Sequence, residues 1–321
     1  MHYTTLGNTG LKVSVAGLGC GGNSRLGQGS GATRAESVAV VRTAFDLGVN
    51  LLDTAEVYGT EEIVGEAIAS IPRDQVVIST KCRFRNGDTL RTGAEVVAAL
   101  DQSLRRMNLD HVDVFHLHAV APAAYDHALN ELAPALLREK AKGKFAHLGI
   151  TETGPNDPKQ EMLTKAIGEA PWEVVMLALH MMNQNARRAI LPTAKARGVG
   201  TLLMFVVRNI FSRPAALKEA VDGLVASGQI PKADAEPLAF LLREGGARDL
   251  TDAAYRFARH EAGVDVVLFG TGKQAHVRSN VESILGPRLP DADLKRLYDT
   301  FGHLIGVGLD MPDAMKAAAK K

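Results

Sequence analysis

Asn50-Leu51-Leu52-Asp53-Thr54-Ala55-Glu56-Val57-Tyr58-Gly59 carries a short apolar run into two acids, a tyrosine and a turn glycine. The run that begins at Val49 and ends at Leu52 reads as a buried parallel strand, too short for a helix. Two further runs behave alike: Val76-Val77-Ile78 leads to Lys81, and Val112-Asp113-Val114-Phe115 leads to His118. Each polar residue falls at the carboxyl end of its strand or just beyond it. Barrels of alternating strands and helices gather their chemistry at that end.

Working outward, the same reading predicts eight strands, over residues 13–18, 49–53, 76–80, 112–116, 146–150, 174–179, 200–206 and 266–269. Helical patterns fall between and after them, at 34–47, 61–69, 93–107, 125–142, 159–169, 186–197, 251–262 and 275–286. This alternation is the signature of parallel βα units and predicts a (β/α)8 TIM barrel. An N-terminal β-hairpin is expected in the first dozen residues. Most connections are short, but residues 207–250 form a long loop after strand 7, with Arg208, Phe211, Arg213 and Pro214 near its start and Ala-rich helical stretches behind. Long insertions on this face of a barrel build the site.

The 321 residues are expected to form one barrel domain, 1–321, and a hydrophobic content of 46% suffices for its core. A net charge of +1 offers no basic field for nucleic acid. No apolar stretch approaches the roughly 20 residues of a membrane span, and Met1 to Gly10 lacks the pattern of a signal peptide. A cytoplasmic protein, monomeric or a small homo-oligomer, is therefore expected, with neither nucleic acid nor membrane as a partner. Two cysteines, Cys20 and Cys82, make no disulfide framework in a chain of this length and fit a reducing compartment. Cys82 follows Lys81 and reads either as a favoured thiolate or, because neighbours on a strand face opposite ways, as a packed side chain.

Taken singly, Asp53, Tyr58, Lys81 and His118 each have a structural reading as a solvated cap, an ion pair or a turn tyrosine. Together they describe a chemistry. A free phenol, with a pKa of about 10, is a reluctant acid near neutrality. An adjacent Lys81 ammonium favours the phenolate and lowers that pKa, while Asp53 keeps the ammonium charged and in place. Tyr58 can then protonate a carbonyl oxygen, and His118 can donate a second hydrogen bond to the same oxygen. The missing hydride can come from no side chain and implies a nicotinamide cofactor. His116 and His118, two apart on one strand, could instead begin a metal site. No matching cluster of acids or histidines stands at the other strand ends, so no metal is expected and His116 reads as a packed or hydrogen-bonded neighbour.

The acid–phenol–ammonium–imidazole set and the wording Asp53-Thr54-Ala55-Glu56-x-Tyr58-Gly59 resemble the aldo-keto reductases over nearly the whole chain. The resemblance implies Asp53, Tyr58, Lys81 and His118 as the catalytic tetrad and a nicotinamide dinucleotide as cofactor. It also implies cofactor positions, several of which depart from the family pattern. Thr151 and Glu152 stand where a Ser-Asn pair binds the nicotinamide amide; an ionised Glu152 would accept from the amide nitrogen but could not donate to its oxygen. Met176 replaces a glutamine, Leu179 and His180 stand where an aromatic and an asparagine are frequent, and Met204 replaces a stacking tyrosine with a thioether. Gly270, Thr271, Gly272, Lys273, His276 and Asn280, in the run Phe269-Gly270-Thr271-Gly272-Lys273, resemble the family's adenosine-phosphate segment. Exposed glycine N–H groups and a helix start suit an anion there. Gly270 and His276 stand where a lysine and an arginine usually hold the 2'-phosphate, although Lys273 and Arg278 are close. NADP(H) is the favoured cofactor and NAD(H) remains possible.

The loop after the first strand, with Gly21, Gly22, Asn23 and Arg25, is expected to border the substrate, and in the resembled family the tail, here residues 301–311, helps wall the pocket. With one tryptophan, Trp172, and 5% aromatics the chain lacks a lining for bulky apolar carbonyls, so small or polar carbonyl compounds or alcohols are favoured. The same residues permit an NAD-dependent sugar (aldose) dehydrogenase running the chemistry backwards, or a nucleotide-sensing regulatory barrel with little turnover.

Overall fold

The computed structural model describes residues 1–232 and 238–309. In chain order its strands are β1 (Tyr3–Thr5), β2 (Lys12–Ser14), β3 (Ala16–Gly19), β4 (Leu51–Asp53), β5 (Val77–Arg83), β6 (Arg85–Asn86), β7 (Thr89–Leu90), β8 (Val112–His118), β9 (Phe145–Thr151), β10 (Val174–Ala178), β11 (Gly200–Met204) and β12 (Val266–Phe269). Eight of them, β3, β4, β5 and β8 to β12, run parallel and close into a barrel in chain order, which is the (β/α)8 architecture expected from the sequence. β1 and β2 pair as an antiparallel hairpin, and β6 and β7 make a second, two-stranded sheet that the sequence reading does not anticipate.

The alternation of each strand divides the core in two. Leu51, Val77, Val114, Val174, Met176, Leu202 and Val266 fill the inside of the barrel, while Leu52, Ile78, Phe115, Leu117, Ile150 and Val175 face outward into the packing with the helices. The helix Arg34–Asp46 begins at Thr33 and the helix Gly93–Met107 at Thr92, each with a reciprocal capping box to Glu36 and Glu95.

Several boundaries differ from expectation for identifiable reasons. Val13 and Ser14 pair with Thr4 and Tyr3, so they belong to the hairpin and the first barrel strand starts at Ala16. The helical stretch 186–197 is split into Ala186–Ala189 and Leu191–Arg197, the second carrying Pro192 in its first turn, where a missing N–H costs nothing. The expected helix 125–142 contains a π turn over Ala128–Leu132. The long connection holds the helices Arg208–Ser212 and Pro214–Ala226, and a further helix, Asp291–Phe301, precedes the tail. Of that tail, residues 310 and 311 lie outside the described residues. Among the described residues no helix is long and apolar enough to cross a membrane.

The hairpin closes the amino-terminal end of the barrel. Leu6 and Val13 are fully buried there, Gly7 donates its N–H to Asp265 Oδ2 at 3.0 Å, and Asn8 donates to Gly198 O at 2.7 Å. Gly7 has a φ of +51°, and a Cβ on it would lie 2.4 Å from Gly200 N and 2.5 Å from Gly198 O, all backbone that cannot give. Gly7→Ala is expected to destabilise the fold by about 2 kcal/mol or more, from the left-handed backbone and the clash together. A lowered urea midpoint with an unchanged slope is the measurement. Activity per folded molecule should survive, because the candidate residues Asp53, Lys81 and His118 stand toward the opposite, carboxyl ends of their strands.

Candidate active site

The last residue of β4 and the fifth of β5 meet at the carboxyl end of the barrel. Lys81 Nζ donates to Asp53 Oδ1 and Oδ2, both at 2.8 Å, and to Thr54 O at 2.6 Å. All three ammonium protons are thereby engaged, and Lys81 is fully buried. Ser79, which pairs in register with Asp53, donates its hydroxyl to Asp53 Oδ1 at 2.7 Å. Burial alone would discharge Lys81, but Asp53 and Tyr58 more than offset it and its pKa is raised, so the ammonium stays charged.

Tyr58 reaches the site from the turn after β4. Its ring packs on the backbone of Gly21, where a Cβ would sit 2.4 Å from a ring carbon. Its hydroxyl lies 3.4 Å from His118 Nε2, the two rings meeting edge to face at 86°, and Lys81 Nζ stands 5.0 Å from the Tyr58 ring centre. Burial raises the phenol's pKa above its ordinary value; the Lys81 charge pulls it down as the sequence argument expects, but does not win. Burial, and then the same ammonium, hold His118 and His116 well below the ordinary imidazole value, so both are neutral at physiological pH. His116 Nε2 lies 3.1 Å from Ser79 Oγ. Because that hydroxyl gives its proton to Asp53, His116 must donate from Nε2, leaving Nδ1 bare beside Gly149, where a Cβ would be 2.2 Å away. His116 is thus a hydrogen-bonded neighbour, and among the described residues no three His, Cys, Asp or Glu side chains converge as metal ligands. Cys20 and Cys82 are buried with their thiols pushed up by desolvation, which removes the thiolate reading of Cys82.

A cavity of about 610 Å³ opens from this cluster, within the range of small-molecule sites. Asp53, Tyr58, Gly22, Asn23, Met176, Met204, Gly270, Thr271, His276 and Asn280 line it. Gly272 and Lys273 do not; they border a second cavity of about 410 Å³. Gly272 abuts Gly27 of the loop after β3, since a Cβ on Gly272 would lie 2.3 Å from Gly27 Cα. Thr151 and Glu152 are buried beside the main cavity without forming its wall. Thr151 Oγ1 accepts from Ala119 N at 2.7 Å. Glu152 Oε1 accepts from Ala178 N and from Gln160 Nε2, while Oε2 is buried with no hydrogen-bond partner among the described residues. Desolvation pushes the Glu152 carboxyl up to about 8, so it carries its proton near neutrality and can donate, contrary to the ionised group the sequence reading assumes.

The far wall comes largely from the long connection that the sequence reading expected to build the site, although Arg248, Asp249, Thr251 and Tyr255 were not singled out there. Phe205 and Arg208, the guanidinium 4.2 Å from the ring centre and both at positive φ, start the long connection, and Arg248, Asp249, Thr251 and Tyr255 come from its end and the helix Leu250–Arg259. The helix Gln274–Leu285 has no side-chain cap at its start, where Thr271 Oγ1 accepts from Lys273 N at 3.1 Å. Uncapped N–H groups there suit a phosphate, and Met176 and Met204 suit a flat ring, so these residues could hold a dinucleotide.

A family model described as the aldo/keto reductase family matches residues 17–300. The chain is 30% identical over 297 residues to L-galactose dehydrogenase of Arabidopsis thaliana, covering 88% of each, and 26% identical over 317 residues to the aldo-keto reductase YhdN of Bacillus subtilis, covering 92% of each. A crystal structure of the thermostable aldo-keto reductase Tm1743, in complex with the inhibitor epalrestat, superposes with a TM-score of 0.71 at 21% identity, covering 93% of this chain and 99% of that one, and speaks for the fold. The matched span takes in all eight barrel strands but for one residue at the start of the first. The chain therefore belongs to the aldo/keto reductase family and is an NAD(P)-dependent oxidoreductase.

Proposed function

We propose that this enzyme reduces an aldehyde or ketone to an alcohol, with Tyr58 as general acid. The observation that carries the reading is the buried Lys81–Asp53 pair beside a protonated Tyr58, with neutral His118 at 3.4 Å. A carbonyl oxygen seated between Tyr58 Oη and His118 Nε2 would receive two donors. As charge grows on that oxygen, the phenol yields its proton, and the Lys81 charge steadies the phenolate that remains. His118 can serve only as a donor in its Nε2–H tautomer, which its neutral state permits. The nicotinamide, when bound, supplies the hydride to the carbonyl carbon.

NADP(H) is the cofactor we favour over NAD(H). Lys273, His276 and Arg248 place positive or polar groups around the start of the helix Gln274–Leu285 and along the cavity that leads to it. A second reading, oxidation of a sugar in the reverse direction with Tyr58 as base, draws support from the resemblance to L-galactose dehydrogenase.

Tyr58→Phe should lower the rate of carbonyl reduction by a factor of about 10²–10⁴ while cofactor affinity, read by nicotinamide fluorescence, moves less than about twofold. Full activity in that variant would dismiss Tyr58 as the acid. Because the phenol's pKa is raised, its protonated form persists through neutrality. Reduction at saturating cofactor should therefore hold through neutrality and fall only at alkaline pH, as the proton is lost. Lys81→Met leaves Asp53 buried without its cation and should cost about 3–5 kcal/mol of stability in addition to activity. For Glu152, whose native pKa of about 8 lies above its ordinary value, the proton is held at neutral pH and lost as pH rises. Fold stability should accordingly fall as pH rises from the ordinary carboxyl range through 8, and Glu152→Gln, permanently neutral, should lose that part of the dependence. Urea titrations at several pH values that gave the same trend for both proteins would rule out a protonated Glu152 in the native state.

A further inference from the structure

β5 does not stop at Lys81. Val77 faces the barrel interior, Ile78 and Cys82 face the helices, and the alternation continues to Arg83, which therefore follows Ser79 and Lys81 on the inward side at the mouth. In the parallel register Arg83 pairs with His118, the residue whose Nε2 is 3.4 Å from the Tyr58 hydroxyl. Neighbouring strands stand about 4.8 Å apart, so the Arg83 side chain starts one strand spacing from the proposed proton donors. Its positive charge is also among the causes that keep His118 neutral.

That charge is uncompensated. Arg83 is exposed, and its guanidinium makes no hydrogen bond or ion pair with a described residue. A neighbouring carboxylate is already committed: Glu56 Oε1 accepts from the Arg83 backbone N–H at 2.7 Å, and the Glu56 carboxylate pairs with Arg91 Nη1 at 2.9 and 3.2 Å. The Lys81 charge is neutralised by Asp53 beneath the surface, and His118 carries none, so neither competes for an anion at the mouth. A guanidinium is a planar fork suited to a carboxylate, which it can grip with two parallel hydrogen bonds.

We infer that Arg83 binds an anionic group of the substrate, so that this enzyme prefers carbonyl compounds carrying a carboxylate a few bonds from the reacting carbon. The inference rests on the reductase reading above for the chemistry, and on the register of β5 and β8 for the position of the charge. It narrows the expectation of small, polar substrates to small oxo-acids and their aldehyde counterparts.

The test compares succinic semialdehyde with its methyl ester, similar in chain length but differing in charge, as substrates of the wild type and of Arg83→Gln with NADPH. The wild type should favour the acid by about tenfold in kcat/KM, the size of a partly solvated charge-assisted pair, and added salt should shrink that ratio. Arg83→Gln should bring the ratio close to one, with KM carrying the change, and Arg83→Lys should restore part of it. A wild type without preference for the acid, or a ratio unmoved by Arg83→Gln, overturns the inference. If the wild type reduces neither aldehyde nor any member of a broad panel of carbonyl compounds, the reductase reading fails, and the anion site is judged by calorimetric binding of succinate to the NADPH-loaded protein. Affinity about tenfold weaker in Arg83→Gln then upholds the site, and equal affinity refutes it.

Discussion

The buried pair of Lys81 and Asp53 is the constraint around which the rest of the site is arranged. Taking both charges out of water is costly, and attraction between them offsets the cost only if their remaining hydrogen-bonding capacity is met as well. Here it is: two ammonium protons go to Asp53 and the third to Thr54 O, while Ser79 donates to the carboxylate. The arrangement depends on register. Asp53 lies opposite Ser79, so Lys81, two residues further along and on the same face, rises above the carboxylate. A slip of one residue in β5 would turn both Ser79 and Lys81 outward into the helices.

From this pair a field spreads to the neighbouring groups. The ammonium helps desolvation keep His116 and His118 neutral and opposes desolvation at Tyr58. The Ser79 hydroxyl, by donating to Asp53, in turn fixes neutral His116 in the tautomer that donates from Nε2. Two glycines make the geometry possible: side chains on Gly21 or Gly149 would displace Tyr58 or His116. The closed amino-terminal end, sealed by the hairpin, leaves the carboxyl end to carry loops of unequal length, and there the loop after β3 meets Gly272 through Gly27.

What the sequence revealed and what it hid follow from the range of the forces involved. Strands in this barrel are short apolar runs ending in a polar residue, a local pattern, and Asp53, Lys81 and His118 were legible for that reason. The boundary at Ala16 was not, because whether Val13 pairs with Thr4 or with a barrel strand is a question of distant partners. Thr151 and Glu152 were placed by resemblance beside the nicotinamide, yet the hydroxyl of Thr151 is taken by Ala119 N and Glu152 lies behind the wall. Lys273, favoured from the sequence as a phosphate ligand, borders the second cavity and not the one that holds Tyr58. The directions of the Tyr58 and Glu152 shifts could not be read either: both are dominated by burial, which no single segment determines.

The raised pKa of Tyr58 bears on how the proposed tetrad would work. An acid whose pKa falls far below the ambient pH is mostly deprotonated and has little to give, whereas a buried phenol keeps its proton until a stronger demand arises. Such a demand is the charge that develops on a carbonyl oxygen within reach of its hydroxyl. At that moment Lys81, which contributes only a downward pull while the phenol is neutral, acquires a full opposite charge as its neighbour. The ammonium is therefore worth most in the state where the proton has left Tyr58, which is differential stabilisation of the kind that accelerates a step without tightening the ground state. It also explains why the ammonium is pinned by Asp53 and Thr54: a mobile cation would spend part of that advantage in reorganising, and this one, with every proton engaged, has no reorganisation left to do.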